Sequence, residues 1–150
     1  MKSTGGNIGR VFILRMEDGD IIPDCIEQFA EENSISAAQV FLIGGVGGGQ
    51  VVSGPRRSDQ MTPEPMLLPV DGAHEICAIG LIAPDELGKP MLHIHGSLGR
   101  AGHTLTGCLR PGVNTWVVGE AVIYEIKGAD VKRLKDEQSG FTLLEIEHND

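Results

Sequence analysis

From Pro65 onward the chain breaks into six short apolar runs: PMLLPV, HEICAIGLIAP, PMLHIHGSL, HTLTGCL, WVVGEAVIYEI and FTLLEIE, set apart by Gly, Pro and Asp. Runs this short, rich in Val, Ile and Leu and bounded by turn residues, read as strands joined by tight connections. Upstream, VFILRM (11–16), AQVFLIG (38–44) and QVVSG (50–54) extend the pattern, and Ser53 to Pro65 reads as a polar, Pro-containing loop. One segment departs from it. In GDIIPDCIEQFAEENS, residues Ile22, Cys25, Ile26, Phe29 and Ala30 fall at i, i+3, i+4, i+7 and i+8 and form one apolar stripe of a helix. Asp20 suits its N-cap, Pro23 its first turn and Asn33 its exit. One helix among eight or nine strands predicts an α+β fold: a single domain with a largely antiparallel β-sheet and a flanking helix.

The 150 residues are enough for one such domain with its own core, and 41% hydrophobic against 22% charged residues is a globular balance. The expected division is a flexible N-terminus over 1–8, the domain over 9–146 and a frayed tail over 147–150. Neither an internal repeat nor a linker divides the domain. GGVGGG (44–49) does not make a dinucleotide fingerprint: after Gly45 and Gly47 the third glycine falls at Gln50, and no helical pattern follows. It reads as a closely packed connection between strands.

Three widely spaced cysteines, Cys25, Cys77 and Cys108, without Cys-x-x-Cys spacing read as reduced thiols of a cytoplasmic protein. No apolar h-region opens the sequence, and the longest apolar run is far below the ~18 residues of a membrane span, so a soluble protein is expected. The formal net charge of −9 opposes phosphate contact, and PRRS (55–58) and KRLK (132–135) are the densest basic pieces. Direct duplex DNA binding is therefore not expected.

Three of the five histidines fall between Pro90 and Leu109. Residues two apart on a strand share a face, so His93 and His95 project side by side. The stretch GSLGRAG allows the chain to return antiparallel, and His103 opens the returning strand, where it can join the pair. Three neutral imidazoles suit Zn²⁺, one per chain, with a fourth position open to water, a carboxylate or a ligand. The plainer alternative is hydrogen-bonded core or surface histidines, which is the reading for His74 and His148. Cys108 alternates with Thr104 and Thr106, opposite the face of His103, and is therefore expected to be poorly placed as a ligand, whereas Cys77 shares a face with Glu75 and is the one thiol left open as a fourth ligand.

Two carboxylates stand out. Glu120 is the single charge in the row Trp116, Val118, Glu120, Val122, Tyr124 and Ile126, and a buried charge needs a partner. Glu75 shares its face with Cys77, Ile79 and Leu81. Arg15 ends the Val11–Ile13 face and is a candidate binding residue. An Arg–Glu pair tying the sheet together and a catalytic or ligand-binding role both fit these residues. A glutamate that approached the metal would be a fourth ligand or general base.

The segments VFILRMEDGDIIPDCIEQFAEENSISAAQVFLIGGVGG, EICAIGLIAP, HIHGSLGRAGH and GEAVIYE, in this order from Gly9 to Ile126, resemble the PPC domain (plants and prokaryotes conserved). The His-x-His…Gly-His stretch is similar to prokaryotic members with a metal site. Ala101-Gly102-His103 stands where a Gly-Gly-His is usual, and Asp18-Gly19-Asp20 departs slightly from the family's helix opening. The resemblance implies an antiparallel sheet with flanking helices, a homotrimer and a zinc site at His93, His95 and His103. Plant members join this domain to AT-hooks, and no Arg-Gly-Arg-Pro hook is present here. A similar fold and histidine–zinc arrangement in acetolactate decarboxylase and a related ester hydrolase keep an enzyme in view.

Three readings follow. The first is a zinc site serving a small anionic or carbonyl ligand, with lyase or hydrolase chemistry on a carbonyl or carboxylate compound. The second is a regulatory or architectural protein with structural zinc, DNA-associated through a partner and not binding DNA on its own. The third is an assembly module without metal.

Overall fold

The computed structural model describes residues 1–146, so the expected tail over 147–150, with His148, lies outside the described residues. Among the described residues ten strands and one helix follow in the order β1 (Asn7–Glu17), α1 (Ile22–Glu32), β2 (Ala38–Gly48), β3 (Gln50–Pro55), β4 (Pro65–Pro69), β5 (His74–Pro84), β6 (Pro90–Arg100), β7 (His103–Leu109), β8 (Asn114–Lys127), β9 (Val131–Lys135) and β10 (Thr142–Ile146). Eight strands form one sheet in the order β1-β8-β2-β5-β6-β7-β3-β4, and β9 and β10 pair separately. Every pairing is antiparallel. The sequence-predicted class, a single antiparallel-sheet domain with a flanking helix, is the one observed.

One face of the sheet carries the core. Alternation in β5 sends His74, Ile76, Ala78, Gly80 and Ile82 inward and Glu75, Cys77 and Ile79 outward, and β6 likewise buries Ile94, Gly96 and Leu98. The helix stripe closes over this face: Ile22, Ile26 and Ala30 are fully buried, with Phe29 packed edge-on to Phe12. Asp20 does not cap the helix. Ile21 holds the cap position without a side-chain bond, and the Asp20 carboxylate instead accepts the Glu17 N–H at 2.8 Å. Asn33 does close the helix, its Nδ2 donating to the Phe29 carbonyl at 2.9 Å. Among the described residues, no helix is long and apolar enough to cross a membrane.

The glycine run is not a connection but the second half of β2, with Gly49 at the break before β3. Its glycines permit close approach: a Cβ on Gly45 would lie 2.3 Å from the Trp116 carbonyl oxygen, where the β2–β8 register is irregular. Gly107 serves β7 in the same way, since a Cβ there would lie 2.2 Å from the Val52 carbonyl oxygen of β3.

Strand β8 corrects the expected burial of Glu120. Its sequence is apolar at both parities, so alternation alone does not tell its faces apart. The core takes Gly119, Ala121 and Ile123, with Met16 opposite Gly119 in register, and Glu120 is exposed. The buried carboxylate is Glu125, 5% exposed. Arg10 binds it with both ends of its guanidinium, Nε to Oε2 at 2.9 Å and a terminal nitrogen to Oε1 at 2.8 Å, and with its backbone N–H at 2.9 Å. The same guanidinium donates to the Asn33 carbonyl, so one ion pair joins β1, β8 and the end of α1.

These bonds, the side-chain ones first, hold the Glu125 carboxyl down to about 2 from its usual 4.5. A carboxylate whose pKa is lowered by folding stabilises the fold above its unfolded pKa, and that contribution disappears as pH falls toward the folded value. Urea midpoints are expected to fall between pH 5 and pH 2, and Glu125→Gln to flatten that limb while lowering the midpoint at pH 7. Equal pH slopes in the two proteins would assign the acid sensitivity elsewhere.

Candidate metal centre

The outward face of β6 presents His93 and His95 two residues apart, as expected. Their Nε2 atoms lie 3.0 Å from each other with the rings nearly perpendicular, at 82°. The side chain that joins them as a candidate third donor is Cys108, not His103: the ligand atoms of His93, His95 and Cys108 all lie within 4.8 Å of one another.

The turn explains the change of partner. Ala101 and Gly102 both have positive φ, 49° and 80°, as the two central residues of a tight hairpin turn require. Arg100 then pairs with His103, and the register brings His95 opposite Cys108. With a two-residue turn, odd-numbered residues of β6 share a face with even-numbered residues of β7. His103 thus falls on the opposite face from His93 and His95, about 17 Å along the strand from His95 at ~3.4 Å per residue. It lines a shallow depression with Pro69, Asp71, His74 and Arg100. Reading GSLGRAG as one long turn hides this parity, whereas Ala-Gly as a two-residue turn reveals it.

The donor set suits a metal. Two imidazole nitrogens and one thiol are ligands of soft or borderline divalent ions, zinc foremost, and a tetrahedral site would space them roughly 3.5 Å apart. Small side-chain rotations reach that spacing from the geometry seen. Burial, followed by the charges of Arg133, His95 and Arg110, lowers the His93 pKa and favours the neutral imidazole that a metal needs. All three cysteines are free thiols, Cys108 half-buried and Cys77 exposed.

The other candidates share the outward face but lie apart from this cluster. Ile79 is opposite His95, which leaves Glu75 about 13 Å further along β5. Glu120 lies on β8, three strands from β6 and so about 14 Å across the sheet. Arg15 is opposite Glu120 in register, but its guanidinium turns to Glu17 at 3.3 Å with both side chains exposed. It therefore does not form the sheet-tying pair that the sequence allowed. The residue that sequence reasoning missed is Arg133 of β9. It is 4% exposed, donates to the Leu81 carbonyl at 3.1 Å, and its charge helps to lower the His93 pKa.

Comparison with known proteins follows the same lines. No curated protein matches the sequence. Among solved structures, a plant- and prokaryote-conserved protein of Pyrococcus horikoshii is 25% identical, with 99% of each chain covered and a TM-score of 0.84. A protein of Archaeoglobus fulgidus described as metal-containing is 29% identical over 95% of this chain and 98% of that one, with a TM-score of 0.82. A Bacteroides thetaiotaomicron protein provisionally described as DNA-binding shares the fold at 19% identity, TM-score 0.78, with 95% and 99% covered. The family model of the Plants and Prokaryotes Conserved (PCC) domain matches residues 3–127, which takes in the helix, the hairpin and β8, and the chain belongs to that family.

Proposed function

We propose that the protein is a homotrimeric, cytoplasmic zinc-binding member of its family whose metal, one per chain, serves a site for a small anionic or carbonyl ligand. The observation that carries this reading is the convergence of one imidazole nitrogen each from His93 and His95 with Cys108 Sγ on one face. Three ligands leave one tetrahedral position for a ligand. When bound, the metal supplies Lewis acidity toward a carbonyl or carboxylate oxygen, the chemistry of a lyase or hydrolase. The chain's own residues supply the rest: neutral His93 as a donor, and Arg110 and Arg133 as a positive field that draws anions. Glu75 and Glu120 stand outside the reach of the metal in a single chain.

The trimer is supported by what surrounds the cluster. Across the outward face, Ile13, Val122, Phe41, Ile79, His95 and Cys108 form one continuous register row. Ile13, Phe41, Ile43 and Ile79 are 82%, 41%, 56% and 56% exposed in the single chain, an apolar surface of the kind that marks an interface. The net charge of −9 opposes direct DNA contact, so in the alternative of a regulatory or architectural protein with structural zinc the DNA association would run through a partner.

An open coordination position separates the two readings. Cobalt-substituted protein titrated with acetate, phosphate or a hydroxamate should change its visible spectrum saturably. A spectrum indifferent to all three would make the site closed and structural.

A further inference from the structure

We infer that Arg133 is the residue that binds the carboxylate of the ligand, carried to the His93–His95–Cys108 cluster by the small second sheet. This rests on the reading of that cluster as an open metal site. Strand β9 pairs with β10, Arg133 opposite Leu144, and lies against β5, where the Arg133 guanidinium reaches the Leu81 carbonyl. Leu81 is the register partner of His93. The small sheet thus delivers a permanent positive charge beside the donor cluster.

Two observations make this a binding feature instead of a structural one. First, the side chain is nearly enclosed, at 4% exposure, and its Nε is buried with no hydrogen-bond partner. Enclosing a guanidinium without a counter-ion is unfavourable even after relaxation. Among the described residues, the ion pairs involve Lys2, Arg10, Arg15, Arg56, Arg57 and Lys127, and no carboxylate pairs with Arg133. Second, the Leu81 carbonyl that holds the guanidinium belongs to the register partner of His93, so the enclosed charge sits beside a donor of the cluster. With the metal in place, the exposed Arg110 close by and Arg133 enclosed, the site carries excess positive charge and a guanidinium Nε–H without a partner. A planar carboxylate meets both needs, because the guanidinium fork matches its two oxygens and its charge balances the metal.

The test uses the full chain loaded with cobalt, with acetate as the probe, inorganic phosphate as a second anion and acetamide as an uncharged isostere. Metal content and the thiolate-to-cobalt charge-transfer band are followed separately. Arg133→Met should keep one metal per chain and the charge-transfer band, and should weaken acetate by roughly 10–100-fold, as expected for a lost charge-assisted hydrogen bond. Arg133→Lys should recover part of that loss. Acetate should bind the native protein more tightly than acetamide or phosphate.

Equal acetate affinity in the native and Arg133→Met proteins, both fully metallated, overturns the inference and leaves the open metal site standing. Tighter binding of phosphate than acetate overturns the carboxylate assignment. A native protein that takes no metal removes the underlying reading instead. Thermal unfolding adds an independent check: replacing an enclosed, unpaired arginine by Met should leave Tm unchanged or raise it. An Arg133→Met protein that unfolds would show that the residue serves the fold.

Discussion

Cys108→Ala should lower metal affinity by at least about 100-fold, while His103→Ala should leave one metal per chain in place. The two residues are five positions apart in one hairpin, and the sequence alone favours the histidine. The register decides otherwise, since His95 faces Cys108 and Arg100 faces His103. Removing a donor from a three-ligand site leaves two, too few to hold zinc against a chelator, whereas His103 lies on the other face of the sheet. Elemental analysis after growth in zinc-replete medium, with chelator competition on the three proteins (native, C108A and H103A), reads the difference directly. Cys108→Ser should also lose the thiolate-to-cobalt band with the fold intact. Full metal in C108A, or loss of metal in H103A alone, would return the site to the histidine triad. His93→Ala and His95→Ala should each behave as C108A does.

The second large effect concerns assembly. In light scattering at micromolar concentration the native protein should have the mass of three 16.0 kDa chains. Ile13→Glu combined with Ile79→Glu should give the mass of one. Both side chains are more than half exposed in the single chain, so the substitutions cost the isolated fold little. Packed against a neighbouring copy, each would bury an unpaired carboxylate, a penalty that multiplies around the ring and exceeds 100-fold in the association constant. A single-chain mass for the native protein would remove the trimer. An unchanged trimer in the double variant would move the interface off this face. Because His95 and Cys108 continue the same row, metal binding and assembly should also be measured on one preparation.

Much of the architecture is local in origin and therefore legible without coordinates. The 3.6-residue stripe from Ile22 to Ala30 marks the helix, because each member is set by its own neighbours in the chain. The Gly-, Pro- and Asp-bounded apolar runs mark the strands, and His93 and His95 share a face because strand alternation allows nothing else. The absence of a helical pattern after GGVGGG likewise excludes a dinucleotide turn, although the run proves to be strand.

What the tertiary structure alone decided is which face of each strand turns inward and which strands meet. WVVGEAVIYEI is apolar at both parities, so only packing beneath Met16 and the helix buries Gly119, Ala121 and Ile123, exposes Glu120 and leaves Glu125 for Arg10 to neutralise. In the hairpin, a two-residue turn instead of a longer one shifts the pairing by one parity, and a one-residue shift in a ladder exchanges the two faces of a strand. That single step replaces His103 by Cys108 as the companion of His93 and His95. Arg133 carries no local sign at all within KRLK. Its burial depends on a second sheet folding back over β5, a contact between residues 52 positions apart that no short-range pattern encodes.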